Sequence, residues 1–238
     1  MNSRIVSLLL PCLLAFSPGL ARSQPMTVVA QVQITHSGKQ KGPSQGPAGE
    51  AVVWLDRLSP GEPDPPAAPP GHFRLVQKDK SFSPHLLVVP LGSTVDFPNL
   101  DPFFHNVFSQ FNGKRFDLGL YETHNARAVD FDHEGVSYIF CNIHPQMSAV
   151  VITLATPYFG IAQQNGKVTL RSVPAGSYEM RVWAEGVDAK QLNALSRQVR
   201  IGPSQADLGV IALARENAIP AHKNKFGEDY APDISGIY

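Results

Sequence analysis

The residues best suited to chemistry lie together in Cys141-Asn-Ile-His144-Pro-Gln-Met147, which sets a thiol, an imidazole and a thioether three residues apart each. Cys141 ends one apolar run (Val136 to Phe140) and Ser148 opens another, so the three side chains share one tight loop and converge. A second imidazole, His105, follows a turn at Asn99 and Asp101-Pro102. Two imidazole nitrogens and a thiolate in a near-trigonal plane, with a weak axial thioether, are the donor set of a mononuclear copper site that moves single electrons. Zinc is the rival metal. It accepts one Cys and two His, but takes a fourth nitrogen, oxygen or thiolate ligand more readily than a Met. His85 precedes an apolar run, and the four-donor set is complete without it. It is read as a hydrogen-bonding residue, and His124 and His133, in polar stretches, as solvated.

The N-terminus bears on that thiol. Arg4 precedes the apolar run Ile5 to Phe16, which Pro11 interrupts, and small residues at Ala21 and Ser23 follow. This is the pattern of a cleaved secretory signal over residues 1–23, with a run too short to span a bilayer comfortably. Cleavage removes Cys12 and leaves Cys141 as the one cysteine of the mature chain, and it leaves 18 basic against 20 acidic side chains, a net charge of −2. A lone cysteine in an oxidising compartment has no internal disulfide partner, which strengthens the metal reading. The chain therefore reads as periplasmic or secreted, with no membrane span after cleavage. The charge balance gives no basic excess for nucleic acid.

The elements that must position these residues are short strands. Gly (19) and Pro (21) are frequent, favouring turns over long helices. Thr27–Thr35 alternates, with Val28, Ala30, Val32 and Ile34 on one face, and Ala51–Leu55 is a second strand. Ser59 to Gly71 holds six prolines and reads as an irregular insertion. Leu86–Phe97 contains two runs hinged at Pro90 and Gly92. Residues 103–108, 126–131, 136–141 and 148–154 follow as strands, and many short strands with turns between them argue a β-sandwich. The pattern resets near Thr156-Pro157. Asn165-Gly166 is a hairpin signal, followed by alternating runs at 167–171 and 178–183 with a turn at Pro174-Ala-Gly-Ser between them, and by further strands at 198–201 and 208–213. Residues 215–238 are polar and aperiodic and read as a tail.

Val95-Asp-Phe-Pro-Asn-Leu-Asp, His105-Asn-Val and Tyr138-Ile-Phe-Cys141-x-x-His144-x-x-Met147 resemble the cupredoxins, and the short Cys-to-Met interval is similar to that of amicyanin. The resemblance is dense over 84–154. It implies an all-β, Greek-key cupredoxin sandwich, one type 1 copper ion held by His105, Cys141, His144 and Met147, and an electron-carrier role. It further implies that His144 is the ligand nearest the surface. Phe103, Phe104, Pro145 and Phe111 then become candidates for a contact patch toward a redox partner protein, with Phe104 expected in the core instead. Residues 157–214 resemble the carboxypeptidase regulatory-like, transthyretin-like module, a second, smaller antiparallel β-sandwich.

The expected organisation is a signal at 1–23, a cupredoxin domain at 24–156 with a Pro-rich insertion at 59–71, a β module at 157–214 that folds independently of metal, and a tail at 215–238. Val32 to Leu55 also fits the second sandwich, an alternative the sequence leaves open. The expected function is a periplasmic or secreted carrier of single electrons, with a copper-binding structural or storage protein as the alternative. No enzyme activity is expected, because no His-x-His pair supplies a second copper.

Overall fold

The computed structural model describes residues 24–36, 51–58, 69–110, 113–215 and 223–230. The expected signal peptide, most of the Pro-rich insertion and Phe111 lie outside them. The described chain is all-β apart from one helical segment, α1 (Ala189–Leu195), which Asp188 caps by accepting from Gln191 N.

Two β-sandwiches are present, one inserted in the other. The outer one is built from β1 (Met26–His36), β2 (Ala51–Arg57), β13 (Phe159–Ile161), β14 (Lys167–Val173), β15 (Gly176–Ala184), β16 (Arg197–Ile201) and β17 (Asp207–Arg215). Its sheets run β14-β1-β17 and β13-β2-β15-β16. Between them pack Val28, Ala30 and Val32 of β1, the same face that the alternation marks, with Leu55, Leu170 and Met180. The Asn165-Gly166 turn leads into β14. Gly166 has φ +80, and a Cβ there would lie 2.1 Å from Val32 O, so only glycine fits.

The division at residue 156 does not follow the strand pairing. β1 pairs with β14 and β17, and β2 pairs with β13 and β15, so Met26–His36 and Ala51–Arg57 complete the C-terminal sandwich. Residues 157–214 alone lack two of its central strands. The alternation of β1 is satisfied equally by either sandwich, and register against distant strands makes the choice.

The inner unit begins with β3 (His72–Arg74), β4 (Val76–Lys78) and β5 (Ser81–Ser83), and continues with β6 (Leu86–Pro90), β7 (Ser93–Pro98) and β8 (His105–Ser109). It closes with β9 (Phe116–Tyr121), β10 (Ala126–Phe131), β11 (Gly135–Cys141) and β12 (Ser148–Leu154). A five-stranded sheet, β6-β12-β11-β8-β9, faces the three-stranded β10-β7-β3 across a core that includes Val95, Phe97, Phe131, Ile139 and Val151.

The two units share an apolar seam. Ala149 and Val151 of β12 face the inner core, while Val150, Ile152 and Leu154 face Val52 and Trp183 of the outer sandwich. Burial on both faces explains why β12 reads as an unbroken apolar run. Trp183 Nε1 donates to Tyr138 Oη across the seam at 3.3 Å.

Candidate metal centre

Strand ends place the donors. Cys141 closes β11 and His105 opens its neighbour β8, the two strands pairing through Cys141↔Val107. The loop from Cys141 to Ser148 is tightened by Met147 N donating to His144 O at 3.1 Å and Cys141 N donating to Met147 O at 3.2 Å. Asn142 N donates to Asn106 O at 3.3 Å, tying this loop to the residue after His105.

His105, Cys141 and His144 meet in the interior, with donor atoms within 4.8 Å of one another. Each imidazole presents Nδ1 to Cys141 Sγ at 3.7 Å. Metal bonds of about 2.0–2.1 Å to nitrogen and 2.3 Å to sulfur, opened near 120°, set two such donors roughly 3.7 Å apart. The two nitrogen–sulfur separations therefore match those expected around a soft-to-borderline metal ion. Met147 is fully buried in the same apolar cluster as Cys141. His105 is fully buried, and His144, at 7% exposure, is the ring nearer the surface. Phe103 lies against both imidazole rings, with centroids 5.3 Å from His105 and 5.6 Å from His144.

The far side of His105 is held by a carboxylate. Asp101 Oδ2 lies 2.8 Å from Nε2, within hydrogen-bond distance, and Asp101 is itself buried. Burial alone would push Asp101 up, but the His105 hydrogen bond and the backbone N–H groups of Lys80 and Asp79 outweigh it and hold the carboxyl below its ordinary value. Burial holds His105 below the usual imidazole value, against the opposing pull of Asp101. In the sequence, Asp101-Pro102 reads as turn chemistry alone.

A segment of the expected tail also reaches the site. Tyr230 Oη donates to Cys141 O at 2.9 Å, and Lys225 N donates to Asn142 Oδ1 at 2.8 Å. Lys225 Nζ bonds Asp117 Oδ2 at 2.7 Å, Asp117 accepts from the Asn106 amide, and Gln110 Nε2 donates to Lys225 O. No periodicity marks residues 223–230, so only the folded chain reveals this strap.

His85 is not among the converging donors. Its Nδ1 bonds Ser148 O at 3.0 Å and its Nε2 bonds Glu185 Oε1 at 2.9 Å, so it links the strand after Met147 to the outer sandwich. Phe104 departs from its expected core position. It is 50% exposed, while Phe103 takes the place against the His105 and His144 rings. Phe103, Phe104, Ile143 and Pro145 form exposed or half-exposed surface on these loops. His124 and His133 are exposed.

Among the described residues no helix is long and apolar enough to cross a membrane. No protein-family model and no curated protein matches the chain. Among solved structures the chain is similar to a purple cupredoxin from Nitrosopumilus maritimus, at 26% identity and TM-score 0.32, over 34% of this chain and 99% of that one. It is also similar to a reduced amicyanin variant, at 20% identity and TM-score 0.31, over 35% of this chain and 82% of that one. A copper-containing nitrite reductase from Thermus scotoductus matches at 20% identity and TM-score 0.34, over 51% of this chain and 28% of that one.

Proposed function

We propose that the chain is a copper protein of the periplasm or extracellular space that carries single electrons between redox partners. One copper ion would be held by His105, Cys141 and His144, with Met147 as a weak fourth donor. The observation that carries this reading is the burial of two imidazole Nδ1 atoms 3.7 Å from one thiol sulfur. Copper bound there supplies the Cu(I)/Cu(II) couple. The protein supplies the rest. The loop hydrogen bonds hold the donors in place, so little need rearrange when the charge changes, and the buried surroundings keep water from the thiolate. Phe103, Phe104, Ile143 and Pro145 offer an apolar approach to the His144 edge for a partner protein. A carrier is favoured over an enzyme because the sequence has no His-x-His pair for a second copper. The outer sandwich is read as a spacer or binding module.

The test is the visible and electron paramagnetic resonance spectrum of protein loaded with Cu(II). Intense thiolate-to-Cu(II) colour is expected, and it should vanish in Cys141→Ser. Persistence of the band in that variant would overturn the assignment. The second reading, copper storage or structural binding, predicts colour without reversible one-electron electrochemistry.

A further inference from the structure

We propose that Asp101, cradled by the Asp79–Lys80 turn, is a positioning residue that fixes His105 with its Nδ1 lone pair toward Cys141 before any metal arrives. The inference rests on the copper reading of the site, but its first test does not.

The geometry begins at the turn. Asp79 and Lys80 join β4 to β5 as a two-residue hairpin loop, with φ of 53° and 54°. Both are left-handed, a conformation that is unfavourable for most L-residues and that such loops usually assign to Asn-Gly or Asp-Gly. What the conformation achieves is directional. Asp79 N donates to Asp101 Oδ1 at 2.6 Å, and Lys80 N donates to Asp101 Oδ2 at 3.0 Å. Strain retained where it aims two donors at one buried carboxylate points to a role for that carboxylate.

Asp101 is fixed from its other side as well. Its own N–H donates to Asn99 Oδ1 at 2.9 Å, and Asn99 Nδ2 donates to Phe103 O at 2.8 Å. The carboxylate can neither rotate nor withdraw. An ionised carboxylate only accepts, so the 2.8 Å contact to His105 requires the proton on Nε2. The lone pair is then on Nδ1, 3.7 Å from the thiol sulfur. A side chain four residues before the ligand thus selects its tautomer and sets its ring plane. The negative charge, relayed through the imidazole, also makes Nδ1 a stronger donor. Outer partners of ligating histidines are typically worth about 10–100-fold in metal affinity.

A purely structural hydrogen bond would stabilise the fold but leave the preference between the two copper oxidation states unchanged. A charge relay favours the more highly charged Cu(II). Two measurements decide. In metal-free wild-type protein, nitrogen-15 NMR of the imidazoles should find His105 protonated at Nε2 and bare at Nδ1. The opposite tautomer overturns the proposal whether or not the site prefers copper. In Asp101→Asn, competition titrations should show Cu(II) affinity falling about 10–100-fold and Cu(I) affinity falling less, so the midpoint potential rises. Equal loss in both states, or none, overturns the relay. If Asp101→Asn does not fold, the tautomer measurement on wild-type protein stands as the deciding result. Failure of wild-type protein to bind copper would refute the copper reading and leave the tautomer test intact.

Discussion

At the scale of single residues, Met147 separates ligation from packing. The thioether is fully buried beside Cys141, and its backbone closes the ligand loop at both ends, so either role fits its position. A weak axial thioether tunes the potential without holding the metal in place. Met147→Leu should keep copper and colour and raise the midpoint potential, since loss of the axial donor disfavours Cu(II) more than Cu(I). Met147→Gln brings a harder oxygen donor and should lower it. Cyclic voltammetry reads both, and an unmoved midpoint in the two variants would remove Met147 from the donor set. The swap to Leu nearly conserves volume, so its cost in stability should stay below about 1.5 kcal/mol.

At the scale of elements, the strap at 223–230 clamps the neighbourhood of β8 and β11, touching Gln110 and Asp117 on one side and Cys141 and Asn142 on the other. Burial pushes Asp117 up, but the Lys225 ammonium, the Asn106 amide and the Gly119 N–H together hold it below its ordinary value of 3.8. A carboxyl depressed in the folded state contributes its stabilisation above the unfolded value. That contribution is lost as pH falls through the lower folded value. The Lys225–Asp117 latch should therefore help hold the strap at neutral pH, and its contribution should be lost only as pH falls below the ordinary carboxyl value of 3.8. Hydrogen exchange of the strap amides, corrected for intrinsic rates, should show protection at pH 6 that fades by pH 3. Asp117→Asn should lack the protection that depends on the latch at both values. Equal wild-type protection at the two pH values would mean that the latch holds nothing.

For the whole molecule, insertion of one sandwich into another decides how it unfolds. In chain order the inner unit follows β2 and precedes β13, so the outer sandwich is built from segments on both sides of it. The seam of Val150, Ile152, Leu154, Val52 and Trp183 is buried, and His85 with Glu185 adds a polar tie across it. Independent folding of residues 157–214 is incompatible with this arrangement, since β1 and β2 belong to the same sheets. Calorimetry should find one main transition, and removal of copper should move the whole of it. Two transitions of which only the first responds to chelation would show that the seam transmits nothing. Ile152→Ala should cost about 2–5 kcal/mol and lower that single transition without altering the donor trio.

The donor types and their spacing were legible in the chain itself, because Cys141, His144 and Met147 share one loop whose length limits how far apart they fall. Most strands were legible too, since alternation in β1 and the apolar run of β12 reflect burial on one face and on two. Sequence alone could not assign β1 and β2 to a sandwich, because an alternating strand satisfies any apolar sheet and only register against β14, β15 and β17 selects one. It marked neither Asp101 as the partner of His105 nor residues 223–230 as a strap. Both depend on hydrogen bonds between segments distant in the chain, from the Asp79–Lys80 turn to Asp101 and from Tyr230 to Cys141. Such bonds leave no periodic trace in composition, and only the tertiary structure brings their partners together.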